Sequence, residues 1–306
     1  EYIYPATNHN YMLFFTQKGK CYWLKVYEIP EGTKTSKGRA IQNLLNIDSD
    51  DSITAFVRVL TLDDEEYINS NYLVFGTQSG VVKKTLLEAY SRPRQNGVIA
   101  IGLREDDQVI SVRLTDGKKD IIMANRNGRA IRFNEEDVRP MGRTATGVKG
   151  MTLDEDGEDY VIGMICMDPD SKDTILVVSE QGYGKRTMLN DEDGEPVYRI
   201  TYRGGKGVKT LNITEKTGKL VAIKSVTDDN DLMIINKSGI TIRVKISDIR
   251  TMGRATQGVR LINLEKRNDE IASVCKVNSE EEIDEVETVL PEDVDSEENF
   301  TDEVSE

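Results

Sequence analysis

Short apolar runs set the rhythm of this chain. Tyr11–Phe15, Tyr72–Phe75, Ile121–Met123, Ile175–Val178 and Leu232–Ile235 are aromatic or β-branched stretches, and each leads into a polar turn. The turns hold Gly, as in Gln17-Lys18-Gly19, Gln78-Ser79-Gly80, Arg126-Asn127-Gly128 and Lys237-Ser238-Gly239. A second run follows each turn. Two strand-like runs around a Gly-bearing turn predict a β-hairpin, because Gly supplies the positive φ that the turn needs.

The hairpins belong to a longer repeat. Asp120–Leu153 aligns without gaps to Asp231–Leu264, with about a dozen of roughly 34 positions identical, far above chance for an internal repeat. Gly128/Gly239, Arg132/Arg243, Met141/Met252, Gly142/Gly253, Arg143/Arg254 and Gly147/Gly258 are among the matches. Looser copies begin at Tyr11, Tyr72 and Thr174. Five units of roughly 45–60 residues therefore fill Tyr11 to Val277, a period typical of propellers. After its hairpin each unit runs through a polar segment with Arg and Gly. Two more short strands are expected there, for example Gly147–Leu153 with Tyr160–Met167. Helix signals are few; Leu86–Tyr90 predicts one short turn. A four-stranded sheet cannot bury a core alone, so such units must pack side by side as blades. The expected fold is all-β: a propeller-like domain over residues 1–278.

Charge changes the picture in one place. The 306 residues carry 40 Lys+Arg and 54 Asp+Glu, a net charge of −14, and 14 of the acidic residues lie between Ser279 and Glu306 without one basic residue. The remainder is balanced at 40 of each sign. The low pI thus says nothing against a polyanionic partner. Residues 279–306 have too few apolar positions to offset their ordering entropy, which predicts a disordered acidic tail.

Several function classes drop out. No apolar stretch reaches a membrane span, and no basic-then-apolar leader opens the chain, which predicts a cytoplasmic protein. Cys21, Cys166 and Cys275 are odd in number, far apart and set in apolar runs, which predicts buried thiols. His9 is the only histidine. No nucleotide-binding GxxxxGK[ST] exists; Gly142–Gly147 has the glycine spacing, but Val148 stands where the lysine belongs. Asp154–Gly157 and Asp191–Gly194 resemble fragments of a calcium loop but lack its first ligand, so they are expected to be solvated turns. No catalytic residue and no metal ligand is expected.

The polar segment after each hairpin holds the candidate chemistry. Its copies are Ser36-Lys37-Gly38-Arg39-Ala40, Ser91-Arg92-Pro93-Arg94-Gln95-Asn96-Gly97, Gly142-Arg143-Thr144-Ala145-Thr146-Gly147, Tyr202-Arg203-Gly204-Gly205-Lys206-Gly207 and Gly253-Arg254-Ala255-Thr256-Gln257-Gly258. Each sets Arg or Lys beside Gly, with a closing Gly ahead of an expected strand. Gly lets backbone N–H groups approach a phosphate, and the guanidinium fork matches its oxygens. A single such loop reads as no more than a charged turn. The same loop in every unit places basic groups on one perimeter, which suits a polymer of phosphates.

These loops resemble degenerate copies of the signature box, Q-R-R-G-G-K-G, of the C-terminal DNA-wrapping domain of the bacterial DNA gyrase A subunit. Arg203–Gly207 keeps R-G-G-K-G, with Thr201-Tyr202 in place of Q-R. HNYMLFFTQKGKCYWLKVYEIPEG followed by KGRAIQNLLNI, and RPMGRTATGVKGM followed by EQGYGKRT, read like consecutive blades of that family. The resemblance covers nearly all of residues 1–278. It implies a β-pinwheel that bends and wraps duplex DNA around a basic rim, supporting ATP-dependent negative supercoiling. Lys37, Arg39, Arg92, Arg94, Arg143, Lys185, Arg186, Arg203, Gly204, Gly205, Lys206, Gly207 and Arg254 are its implied DNA contacts. Two partners are implied in an A2B2 holoenzyme, where Mg and ATP act: the gyrase B subunit, and the N-terminal part of the A subunit. A nucleoid-associated location is implied as well. A sixth blade is represented only by Glu1–Ala6, which resembles a closing strand. The alternatives are the equivalent domain of the topoisomerase IV A subunit, with a more degraded box, and a propeller used as a protein scaffold, which lacks support from WD40 or kelch signatures.

Overall fold

The computed structural model describes residues 6–33, 36–155, 157–264 and 269–278. Nearly all of Glu1–Ala6 and the whole acidic tail, 279–306, lie outside the described residues. Nineteen strands, β1–β19, follow one another with a single α-helix among the described residues.

Each unit builds a hairpin and then an inner strand. The hairpins are β1 (Tyr11–Thr16) with β2 (Lys20–Lys25), β4 (Tyr72–Thr77) with β5 (Val81–Leu86), β8 (Asp120–Asn125) with β9 (Arg129–Asn134), β12 (Thr174–Ser179) with β13 (Tyr183–Met188) and β16 (Asn230–Asn236) with β17 (Thr241–Lys245). The turn glycine has positive φ in all five, from +76° at Gly182 to +85° at Gly239. The inner strands are β3 (Ile53–Val59), β7 (Val109–Thr115), β11 (Val161–Met167), β15 (Leu220–Val226) and β19 (Ile271–Asn278). Each pairs antiparallel with the first strand of its hairpin and slips register by one bulge near the turn. Such a bulge adds local twist to each blade at the same point.

The fourth strand corrects the expected unit. β6 (Val98–Ile99), β10 (Val148–Lys149), β14 (Val208–Lys209) and β18 (Val259–Arg260) do not join the sheets of their own units. They pair with β2, β5, β9 and β13, the outer hairpin strands of the preceding blades. Gly147–Leu153 thus completes the sheet before its own. Four sheets have four strands, and the fifth, β17-β16-β19, has three among the described residues.

Both faces of the inner blades are covered by neighbours, so β8 and β12 are buried at every position. One apolar core fills each blade-to-blade interface. Phe15, Phe75 and Tyr90 join blades one and two; Met123 and Phe133 lie between two and three; Val177 and Tyr198 between three and four; Leu176 and Leu232 between four and five. The face of blade one turned away from blade two is covered by its own chain: Ile41, Leu44, Leu45 and Ile47 pack against Met12, Phe14 and Tyr22. Consecutive inner strands pack on one another from β3 through β19, whereas β19 and β3 show no comparable contact. The helix α1 (Glu65–Ser70) was not expected; Asp64 caps it by accepting from the backbone N–H groups of Glu66 and Tyr67.

Candidate nucleic-acid interface

Four of the five basic loops share one geometry. Each lies ahead of a short fourth strand, against the outer hairpin strand of the preceding blade. The closing glycine makes this approach possible. A Cβ on Gly207, at φ +71°, would stand 2.4 Å from the Ala130 carbonyl oxygen, and one on Gly258, at φ +78°, 2.5 Å from that of Gly184. No side chain fits there. Backbone bonds then link the loops in series: Gly102 N–H donates to Ala145 O (3.1 Å), Thr152 N–H to Gly205 O (2.9 Å) and Asn212 N–H to Thr256 O (3.0 Å). The result is a hydrogen-bonded belt along the rim.

The Ser36–Ala40 loop is the exception. It leads into a 3₁₀ turn at Ile41–Asn43 instead of a short strand. Lys37 and Arg39 are exposed there.

Arg143, Arg203 and Arg254 occupy equivalent belt positions and are half-buried. Each leans on the unit before it. Arg143 Nη1 donates to Ala89 O (3.2 Å); Arg203 donates through Nε to Asp137 O (3.0 Å) and through Nη1 to Lys149 O (3.1 Å); Arg254 Nη1 donates to Lys209 O (3.0 Å). These bonds fix the planes of the guanidinium groups at the rim. Tyr202, 66% exposed, sits under the Arg203 guanidinium, 5.2 Å from ring centroid to Cζ. Arg92, Arg94 and Lys206 are exposed. Lys206 Nζ lies 3.6 Å from Asp154, a loose surface pair that holds the ammonium weakly.

Two expected contacts are corrected. Lys185 and Arg186 lie on β13, covered on both faces, and neither reaches the surface. Lys185 is fully buried under the last loop, where Nζ donates to Gly253 O (2.7 Å), Arg254 O (2.6 Å), Thr256 O (3.2 Å) and Thr256 Oγ1 (3.1 Å). Arg186 donates through Nε to Ile249 O (2.8 Å) and pairs with Asp228. Both hold the neighbouring unit in place instead of facing a ligand.

Lys83 repeats this arrangement under the Arg143 loop. It is fully buried and donates to Ala100 O (2.7 Å) and to Arg143 O. Burial, with help from the adjacent arginine, pulls Lys83 down to about 7 and Lys185 to about 8. At the same register of β9 stands Ile131, and the loop above it supplies its own Lys206. Each of these three loops is thus served by one arginine and one lysine, with the lysine placed either in the loop or beneath it.

The rim also holds cations that the loop pattern did not include. Lys149, Lys209 and Arg260 end the short strands β10, β14 and β18 and are exposed; Arg139, Arg199 and Arg250 are exposed where the chain enters the loops. A Gly-Val-Lys/Arg triplet in three units was the available signal for the first set.

Cys21 and Cys275 are buried, Cys166 is half-buried, and burial pushes the Cys166 thiol up to about 12. Among the described residues no cluster of three or more His, Cys, Asp or Glu is placed to hold a metal ion. No described helix is long and apolar enough to cross a membrane.

A profile of the family described as DNA gyrase C-terminal domain, beta-propeller, matches residues 10–68, 71–116, 119–166, 173–191, 197–227 and 230–278. The chain is 45% identical over 294 residues to the DNA gyrase A subunit of Staphylococcus aureus (strain MRSA252), a match that covers 95% of this chain and 32% of that protein. The chain therefore spans about a third of the length of such relatives. Among solved structures, the C-terminal domain of DNA topoisomerase IV superposes with a TM-score of 0.77 at 28% identity, covering 89% of this chain and 80% of that one. A DNA gyrase A C-terminal domain superposes with a TM-score of 0.71 at 25% identity, covering 89% and 83%.

Proposed function

The chain belongs to the DNA gyrase C-terminal beta-propeller family, and from that premise we propose that it binds, bends and wraps duplex DNA around its belt of loops. The observation that carries this reading is the recurrence of cations at equivalent belt positions: Arg139, Arg143 and Lys149, then Arg199, Arg203 and Lys209, then Arg250, Arg254 and Arg260. Phosphates recur along a duplex, and a curved row of cations at repeating positions meets them best when the duplex follows the curve. Neutralising phosphates on one side also lowers the resistance to bending. The short helix α1 is not a recognition helix, so sequence is read through deformability and not through base edges.

In this reading the chain serves the whole gyrase as its wrapping element. The gyrase B subunit, with the N-terminal part of the A subunit, forms the rest of an A2B2 assembly on bacterial chromosomal DNA in the cytoplasm. Those parts supply strand cleavage and the Mg-dependent use of ATP. The likeness to the topoisomerase IV domain supports a second version of the same role. The two separate by product, since only a gyrase introduces negative supercoils into relaxed plasmid.

Gel shifts on random duplex across a salt series test the binding. Arg143→Ala, Arg203→Ala and Arg254→Ala should each weaken affinity for all sequences alike and flatten the log-log salt slope by about 0.9, one phosphate's worth. Ligation of short duplexes should yield more circles when the protein is bound. Absence of binding at low salt would favour the scaffold reading. Loss confined to one DNA sequence, or a straight bound duplex, would overturn wrapping.

A further inference from the structure

The axis of the ring holds a feature that DNA binding at the rim does not use. The five inner strands surround a channel of about 500 Å³. Four basic side chains from four different blades line it: Arg58 on β3, Arg113 on β7, Lys224 on β15 and Lys276 on β19. The one carboxylate in the lining is Asp173, which already accepts from Ser225 Oγ (2.8 Å). A second cavity of about 180 Å³ lies against the first, and Arg113 and Lys224 line both. These two cations therefore sit where the cavities meet. The rest of the wall is largely apolar, including Val112 and Ile165.

This concentration of one sign is local, because the body outside the tail carries equal numbers of acidic and basic residues. Like charges gathered in a partly dry space repel one another and favour an anion between them. Lys224 shows that strain: burial holds its ammonium below the ordinary value, and Arg113 and Lys276 add to the effect. A duplex, about 20 Å across, is far too wide for a space of this size.

We propose that the axial channel is a binding site for a compact phosphate-bearing anion, held between Arg113 and Lys224 with Arg58 and Lys276 at its margins. Guanidinium and ammonium groups converging from separate blades suit a tetrahedral oxyanion with several acceptor oxygens. An anion there would also tie β19 to β3 electrostatically, at the one junction where inner strands do not pack on each other.

Calorimetric titration of the 306-residue chain with inorganic pyrophosphate, in phosphate-free buffer, tests the site. One saturable site per chain is expected, and Lys224→Met or Arg113→Met should each weaken it about tenfold, the loss of one charge-assisted contact. Lys224→Met should leave the gel shift on duplex unchanged. Should the substitutions at these half-buried positions impair folding, Arg58→Gln with Lys276→Gln, at exposed positions, should weaken binding in a protein of normal circular dichroism. A nucleoside triphosphate of equal affinity would support recognition of the phosphates alone. The proposal fails if pyrophosphate gives no saturable signal. It fails equally if Arg203→Ala abolishes the binding while Lys224→Met does not, which would assign the anion to the rim.

Discussion

Arg132 and Arg243 are the same residue of the repeat in two different settings. In blade three, Arg132 is 2% exposed and pairs with the fully buried Asp120 at 2.7 Å. It then reaches into the next unit, donating to Asn190 Oδ1 (2.9 Å) and to the carbonyl of Tyr198 (3.2 Å). In blade five, Arg243 keeps the equivalent partner, with Nε 2.6 Å from Asp231, but its side chain is 42% exposed. Equivalent residues of other blades follow the first pattern: Trp23 Nε1 donates to Tyr90 O (3.0 Å), Lys84 Nζ to Glu135 O (2.9 Å) and Arg186 Nε to Ile249 O (2.8 Å). The difference teaches that this strand position is a tie to the next blade. In blade five the acid beside it holds the more exposed arginine.

The largest expected effect comes from cutting the tie. Arg132→Met leaves a buried carboxylate and two acceptors of the next unit without their donor, and should cost about 3–5 kcal/mol in urea unfolding. Arg243→Met takes a half-exposed guanidinium from the buried Asp231, and should cost less, about 1–3 kcal/mol. Equal losses would show that the two arginines do the same work and would break the comparison.

A smaller effect separates the loops. Those over Lys83 and Lys185 rest on a titrating group, whereas the loop over Ile131 does not. As pH rises through about 7 and then about 8, the two lysines lose their charge. DNA affinity should fall by roughly threefold to tenfold between neutral pH and pH ~9 as that field fades. Stability moves the other way. In the folded chain burial disfavours the charged lysines, while unfolded lysine stays protonated up to its ordinary 10.5. Across that window the unfolded state holds more protons, so stability rises with pH. Lys83→Met with Lys185→Met should flatten both trends. An affinity that ignores pH in the unaltered chain would show that the field of these buried lysines does not reach the bound DNA.

The smallest effect concerns the end of the chain. Fourteen carboxylates follow β19 in sequence, and we propose that they compete with phosphates for the rim. Truncation after Asn278 should then raise DNA affinity by about threefold at low salt, with the gap closing as the Debye length falls to about 8 Å. The same affinity with and without these residues at every salt concentration would reject competition.

What the sequence made legible was local. Alternating apolar runs and turn glycines mark all five hairpins, because a period of two and a positive φ need no information from elsewhere in the chain. The belt loops were legible for the same reason. The destination of the short strands was not. Val148-Lys149 reads alike whether it pairs with β11 or, as it does, with β5; only the ring decides. Lys185 and Arg186 came from the resemblance, which carries no information on how deeply their strand is covered. Here both faces are covered, and the carbonyls that accept from these side chains lie more than sixty residues away in sequence. The helix was readable and missed: Asp64 ahead of Glu65-Glu66 is an ordinary start signal.

The backward placement of the fourth strand has a consequence for how such a chain is made and copied. As synthesis proceeds, none of the four four-stranded sheets is finished when its own unit has emerged; blade two waits for Val148-Lys149 of the unit behind it. Completion therefore travels one step behind the ribosome, and each of these four blades is sewn to its successor as it closes. In heredity the same stagger means that the segment duplicated in the gene is out of phase with the sheet it builds. A copied unit arrives with a strand for its predecessor and an edge for its follower, so units can be added in tandem without designing a new joint.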